Sequence, residues 1–367
     1  MPRGCDRLLA RHPAARNEKR RKVTLPAAES RTARAIPDRL PGFARCIPEN
    51  RMPSSLAVLM DPIGTINPKK DTTLALLLEG QRRGYSLLYA TQGDLAIRDG
   101  AAWARLAPLA VRDDPHDWFS LGTPAWRPLA GIDFALARKD PPVDPQFIYD
   151  TMVLEVAQRA GVQVVNDPRG LRDANEKLFS LRFPQCCPPT AIARDATELR
   201  RFVAEHGEVV LKPLDGMGGR SIFRSRHGDP NLNVILETLT GNGHGFAIAQ
   251  KFIPEISAGD KRILMIDGEP VPYALARIPQ GDDFRGNLAA GGKGVGVPLS
   301  ERDRWIAAEV GPELRRRGMR FVGLDVIGDW LTEINVTSPT CVRELDAQFG
   351  LNIAGLLFDR LEAAQAA

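Results

Sequence analysis

No apolar run in this 367-residue chain approaches the ~20 residues that a membrane-spanning helix needs, so the sequence carries no candidate transmembrane segment. Cysteine is scarce. The five present include the adjacent pair Cys186-Cys187 but show no C-x-x-C or zinc-type spacing, and an odd number argues against a disulfide framework. Reduced thiols that pack rather than react, in a cytoplasmic protein, are therefore expected. Two familiar phosphate-binding motifs are also missing: there is no G-x-x-x-x-G-K-S/T, and the first strand-like run leads into DPIGTINP (61–68) rather than G-x-G-x-x-G. A P-loop NTPase and a dinucleotide dehydrogenase fall back on that ground. No internal repeat is evident.

Charge is plentiful but uneven. Residues 1–51 hold 13 Lys/Arg and 5 Asp/Glu, a local excess of +8; the overall balance of 49 basic and 45 acidic residues then leaves 36 and 40, or −4, for the rest. The basic excess belongs to an N-terminal stretch rich in Arg, Pro and Ala, with the run Lys19-Arg20-Arg21-Lys22 and no extended hydrophobic periodicity. A disordered extension over residues 1–52 is expected. Its acids and scattered prolines make a poor amphipathic presequence. Because Met52 stands just before the first strand-like run, a start there, with a nonessential extension ahead of it, is the favoured reading. The remainder, net acidic and without a membrane segment, is expected to bind neither nucleic acid nor membrane.

The chain exceeds the length at which a single core stops growing, so two or three domains are expected. Residues 55–60, 87–90, 134–137 and 163–165 read as strands, and 71–83 and 147–160 as helices, the first with Leu74, Leu77 and Leu78 at helical spacing. This is an α/β unit over 53–176. A second unit, 177–256, contains a strand before Lys212, a glycine-rich turn, a helix near 233–239 and a strand at 246–252. A third, 257–367, contributes hairpins and a closing helix at 353–364. The fold class is α/β.

Two segments carry chemistry. In LKPLDGMGGRS (211–221) an extended run delivers Lys212 and then glycines, so that backbone N–H groups unshielded by Cβ approach a polyphosphate while the ammonium neutralises it. The next run, 221–224, is extended rather than helical, so the turn resembles a flap over phosphates. In FVGLDVIGDWLTEINVTSP (321–339), two strand-like runs flank Gly328-Asp329-Trp330. With those three residues as the loop, Asp325 faces Glu333 across the pair and Asn335 follows on the same face, while Thr332, Ile334 and Val336 join Val322, Leu324 and Val326 on a core-facing side. Such oxygen ligands suit Mg²⁺, which takes one or two carboxylates plus substrate phosphates. Each segment alone also has a plain account: an ordinary turn, and the wet side of a hairpin.

From residue 60 to the C-terminal helix the chain resembles the bacterial glutathione synthetases, a family of ATP-grasp carboxylate–amine ligases. The matching stretches are RKDPPVD (138–144), NDPRGLRDANEKLFS (166–180), LKPLDGMGGRSIFR (211–224), GDKRILMIDGEPVPYALARIPQG (259–281), RGNLAAGGKG (285–294) and LTEINVTSPTC (331–341), in that order. The resemblance implies an ATP-grasp fold preceded by an N-terminal α/β domain, with ATP as co-substrate and Mg²⁺ or Mn²⁺ as the metal. It assigns Lys177, Lys212, Gly216, Gly218 and Gly219 to the phosphates. Gln250, Lys251 and Ile253 fall in the adenine-binding strand, where backbone groups of Lys251 and Ile253 read the base, and Asp260 holds the ribose. The metal ligands are Asp325, Glu333 and Asn335; Lys70, Arg138, Thr337 and Ser338 lie on the peptide surface.

Arginines carry the implied mechanism. Pairing around the hairpin signal Asp267-Gly268 puts Asp260, Arg262 and Arg277 on one face, and Arg285 opens the glycine-rich loop. In the family, the γ-phosphoryl of ATP activates the carboxylate of γ-glutamylcysteine and the amine of glycine displaces phosphate, so preorganised cations stabilise the charge that develops. The loop's glycines imply a lid that excludes water. A homo-oligomer, a tetramer, is implied by the resemblance alone. Two other readings share the nucleotide chemistry: a different ATP-grasp ligase, such as a D-alanine ligase or an enzyme extending protein tails, and a catalytically silent ATP-binding protein.

Overall fold

The computed structural model describes residues 54–281, 285–286, 288 and 291–366. The expected extension over 1–52, with Cys5 and Cys46, lies outside the described residues, as do Asn287, Ala289 and Ala290 of the glycine-rich loop.

Alternation of short apolar runs with helices gives the first layer. Strands β1 (Ser55–Met60), β2 (Ser86–Ala90), β3 (Leu95–Arg98), β4 (Ala101–Val111), β5 (Phe119–Leu121), β6 (Ala125–Pro128), β7 (Phe134–Arg138) and β8 (Gln163–Val165) form one sheet. Its centre, β2-β1-β7-β8, is parallel. Parallel neighbours need crossovers, supplied by α1 (Thr72–Arg82) and α2 (Pro145–Arg159); each is capped by an aspartate, Asp71 on Leu74 N at 2.6 Å and Asp144 on Phe147 N at 2.8 Å. Alternate residues of β1 face opposite ways: Leu56 and Val58 join Leu74 and Leu77 of α1, while Ala57 and Leu59 join Phe147 and Leu154 of α2. A short helix, α3 (Pro168–Asp173), follows β8.

The second sheet is antiparallel, in the order β11-β10-β12-β9, from β9 (Thr190–Ala193), β10 (Glu208–Pro213), β11 (Phe223–Arg226) and β12 (Ala247–Lys251). Val209, Leu211, Ala247 and Ala249 pack on α4 (Ala196–His206) and α5 (Leu232–Thr240). Strand parity therefore sends Val210, Lys212 and Gln250 to the other face.

The third sheet runs β15-β14-β13-β16-β17, from β13 (Asp260–Ile266), β14 (Glu269–Ile278), β15 (Lys293–Pro298), β16 (Phe321–Ile327) and β17 (Trp330–Asn335). Ile263, Ala274, Leu324 and Ile334 pack against Ile306, Val310 and Leu314 of α6 (Glu301–Arg316). On the opposite face Leu264, Ile266 and Leu275 join a core that includes Leu345 of α7 (Val342–Phe349) and Phe358 of α8 (Ile353–Ala366). That same face carries charges at its other end.

The hairpin registers explain which side chains reach those positions. In β13–β14 the pairing shifts by two between Ile266–Glu269 and Ile263–Ala274, which preserves parity, so Asp260, Arg262 and Arg277 share one face as expected, and the shift brings Asp260 opposite Arg277. In β16–β17 the turn is only Gly328-Asp329, since Ile327 pairs with Trp330 and Val326 with Leu331. Asp325 still pairs with Glu333 because Thr332 is inserted as a bulge. The expected three-residue loop is thus corrected to a two-residue turn plus one bulged residue. Thr332 is also corrected: Leu331, with Ile334 and Val336, takes the core side, and Thr332 does not.

Candidate active site

A cleft of about 280 Å³ is lined from three directions. The second sheet supplies Lys212 and Gln250, the glycine turn Gly216, Gly218 and Gly219, and the charged end of the third sheet the floor. Gly218 and Gly219 adopt φ of +64° and +79°, a left-handed backbone that suits glycine. A Cβ at Gly216 would lie 2.8 Å from Pro213 Cγ.

The floor is built on cross-strand rows. Arg262 pairs with Asp325, which pairs with Glu333, so all three side chains project from one face. Arg262 Nε donates to Asp325 Oδ1 at 2.5 Å and its Nη2 to Oδ2 at 3.1 Å. Arg277 Nη2 reaches Asp325 Oδ2 at 2.9 Å and also pairs with Asp260 Oδ2. Glu333 Oε1 accepts from Lys212 Nζ at 3.2 Å, with Lys177 Nζ 3.6 Å away. Lys177 donates to Gly216 O at 2.8 Å, and Arg285 Nη1 to Gly219 O at 2.8 Å. The cations on this floor therefore already hold protein acceptors.

Charge pairing sorts the carboxylates. Burial raises the pKa of Asp325, but the Arg262 and Arg277 guanidiniums more than reverse this and hold it well below the usual carboxylate range. Burial likewise opposes ionisation of Glu333, and Lys177 and Lys212 overcome it. Asp260 moves upward because burial outweighs the one guanidinium it shares with Asp325. Its Oδ1 is buried with no hydrogen-bond partner among the described residues, an acceptor of the kind a ribose hydroxyl needs. Glu176 has its pKa pushed up to about 7, first by burial and then by the Glu333 charge.

Glu176 was not singled out from the sequence. Its carboxylate accepts from Thr337 Oγ1 at 3.3 Å and its carbonyl from Ile334 N at 2.9 Å, and it lines the cleft. It lies within a quoted segment, next to Lys177; adjacent charges do not reveal which of them turns inward. Thr332 also lines the cleft.

Asn335, Thr337 and Ser338 follow at the end of β17 and line the same space, with Lys251 and Ile253 at the β12 end. The Lys251 amide already donates to Pro189 O at 3.0 Å, so of its two backbone groups the carbonyl is the better placed to read a base. Lys70 and Arg138 are not among the lining residues. Lys70 is exposed before α1. Arg138 is buried, donating to Thr73 Oγ1 at 3.0 Å and Pro339 O at 2.9 Å, so it supports the 337–340 turn from behind.

The donor set fits a hard divalent cation. Asp325 and Glu333 face each other on neighbouring strands, and Asn335 follows Glu333 by two residues and lines the same cleft. Because Lys212, Arg262 and Arg277 are already paired with Glu333, Asp325 and Asp260, a polyphosphate entering here calls for further positive charge. Among the described residues no group of three or more His, Cys, Asp or Glu is arranged to hold a metal ion by itself.

Comparison with known proteins places the chain. The model of the prokaryotic glutathione synthetase N-terminal domain matches residues 55–172, and that of the prokaryotic glutathione synthetase ATP-grasp domain matches residues 176–350. The chain is similar to glutathione synthetase of Xanthomonas axonopodis pv. citri, 69% identical over 315 residues that cover 86% of this chain and 100% of the relative. It is also similar to that of Pseudomonas aeruginosa, 60% identical over 312 residues, covering 85% and 98%. Among solved structures, D-cycloserine synthetase DcsG shares the fold at a TM-score of 0.58 and 14% identity, covering 84% of this chain and 100% of that one. The ATP-grasp ligase PsnB, complexed with a minimal precursor, does so at 0.55 and 19%, covering 85% and 99%. The chain belongs to the prokaryotic glutathione synthetase family and is an ATP-dependent ligase built on the ATP-grasp fold.

Proposed function

We propose that the cleft joins γ-glutamylcysteine to glycine with cleavage of ATP, giving glutathione, ADP and phosphate. The observation that carries this reading is the directly opposed pair Asp325–Glu333, flanked by Arg262 and Arg277 on one side and Lys212 and Lys177 on the other. Asp325, Glu333 and Asn335 would hold Mg²⁺ or Mn²⁺, which supplies positive charge beside the phosphoryl group.

Each remaining residue has a role of its own. Lys177 and Lys212 leave Gly216 O and Glu333 to neutralise the phosphates, while the amides of Gly218 and Gly219 close over them. Asp260 Oδ1 accepts a ribose hydroxyl, and the backbone beyond Gln250, at Lys251 and Ile253, reads adenine. Transfer of the γ-phosphoryl to the peptide carboxylate gives an acyl phosphate; amine attack then forms a tetrahedral centre that expels phosphate. Arg262, Arg277 and Arg285 stabilise the charge on these oxygens, which requires no nucleophilic side chain. Thr337 and Ser338 hydrogen-bond the peptide. Arg138 braces their turn, with its buried Nη1 left without a partner among the described residues, and Lys70, exposed ahead of α1, is taken to meet a peptide carboxylate.

The three sheets correspond on this reading to domains at 53–176, 177–256 and 257–367. No described helix is long and apolar enough to cross a membrane, and a cytoplasmic homo-tetramer is part of the same proposal. One assay tests the function: purified protein with ATP, Mg²⁺, γ-glutamylcysteine and glycine should release phosphate and form glutathione. Phosphate release with D-alanine, and none with this pair, would overturn it.

A further inference from the structure

A two-residue turn, extended without interruption, would set Asp325 opposite Thr332 and Leu324 opposite Glu333. Glu333 would then point with Leu324 into the packed side against α6, because a one-residue slip exchanges the two faces of a strand. The inserted residue prevents this. Before Thr332 the register is Ile327–Trp330 and Val326–Leu331; after it, Asp325–Glu333, Leu324–Ile334 and Gly323–Asn335. Glu333 and Asn335 reach the cleft only because one residue is taken up between Leu331 and Glu333.

A bulge interrupts the ladder, and something must hold it at this residue and no other. The Thr332 hydroxyl donates to the Asp325 carbonyl at 3.1 Å, directly across the interruption, from a side chain that is 5% exposed. The bond fastens the bulged residue to the strand whose carboxylate must meet Glu333. Moving the bulge one residue towards the C-terminus would turn Glu333 inward, while moving it towards the turn would set Thr332 opposite Val326 and carry its hydroxyl into the core.

We propose that Thr332 is a positioning residue for the metal–nucleotide site. Its hydroxyl pins the bulge and thereby aims Glu333 and Asn335 at Asp325. The assignment rests on the reading of these three residues as metal ligands.

The test compares Thr332→Val, which keeps shape and removes the hydroxyl, with Thr332→Ser, which keeps the hydroxyl. Mn²⁺ binding in the presence of ADP is read by electron paramagnetic resonance, alongside thermal unfolding. Thr332→Val should weaken Mn²⁺ binding by about tenfold or more, as loss of a residue that orients a ligand typically does, and Thr332→Ser should stay within about twofold of the parent. Wild-type Mn²⁺ affinity in the valine variant would overturn the proposal, as would equal losses in both variants. A valine variant that fails to fold while the serine variant folds would also overturn it, since the hydroxyl would then serve the fold at large. Glu333→Gln separates the two claims: if it retains normal Mn²⁺ affinity, the ligand reading fails; if it loses affinity and Thr332→Val does not, only the role of Thr332 fails.

Discussion

Arg285 Nη1 donates to the carbonyl of Gly219 across 2.8 Å, joining two loops 66 residues apart in the chain. The glycine turn and the loop that follows β14 are thereby tied over the cleft. Replacing Arg285 with alanine removes both this tie and a charge proposed to face the phosphoryl oxygens. Turnover should fall by about a hundredfold or more, the scale of losing one preorganised donor, while ADP binding by calorimetry changes far less. Amide exchange across 216–220 should speed up. Unchanged exchange there would mean that the two loops close independently.

Glu176 makes stability depend on pH in a direction opposite to most paired carboxylates. Its pKa is raised from 4.5 to about 7, so the fold favours the protonated form. That contribution is fully present below pH 4.5 and is lost as the pH rises through about 7. Glu176→Gln stays neutral throughout and should gain stability relative to the parent between pH 5 and pH 8, by no more than about 3 kcal/mol for this half-buried group. Urea unfolding at the two pH values measures it. A stability difference that does not change with pH would remove Glu176 from the charge network.

Gly323 clears the path of Arg262. A Cβ there would lie 2.7 Å from Arg262 Cδ and 3.1 Å from its Nε, with Pro339 Cβ also at 3.1 Å. The guanidinium is anchored on Asp325 and cannot follow a displaced stem without losing that geometry. Gly323→Ala should therefore cost about 1–3 kcal/mol of stability, as overpacking does, and lower kcat much more than it raises KM for ATP. Parent-like kcat in a folded variant would show that Arg262 need not sit where the structure has it.

Asp325 and Glu333 should separate by their burial. Asp325→Asn leaves two buried guanidiniums without their shared anion, a loss of about 3–5 kcal/mol. Glu333 faces two lysines more loosely and is about a fifth exposed, so Glu333→Gln should abolish turnover with a far smaller fall in Tm. Equal Tm losses in the two variants would contradict the asymmetry.

The Asp325–Glu333 pairing was legible in the sequence for a partly mistaken reason. Alternation of apolar and polar residues implies an odd offset, and a three-residue loop is the simplest way to obtain it; a two-residue turn plus a bulge gives the same pairing beyond the bulge but reassigns Leu331 and Thr332. Binary patterning does not locate an inserted residue when that residue, here Thr332, suits either face. The β13–β14 prediction survives because a shift of two leaves parity intact. Helix α6 was missed although Ile306, Ala307, Val310 and Leu314 are buried at helical spacing, because Gly311-Pro312 interrupts the pattern from within. Strand β4 was missed because alanines, arginine and Pro108 give little strand propensity, and its neighbours supply what its own sequence does not. Glu176 required knowledge of the inward turn after α3.

One face of β13 carries Asp260 and Arg262 and then, two residues further on, Leu264 and Ile266 in a dry core. Any fluctuation that wets the arginine by peeling back this strand must also lift leucine and isoleucine away from helices α7 and α8. The arrangement thus has no cheap local opening. Amides at 262–264 should exchange with solvent only through the largest opening that this sheet undergoes. The lifetime of the charged floor is consequently set by hydrophobic packing at the far end of the same strand, and substitutions that tighten α8 should lengthen it without touching any charged group.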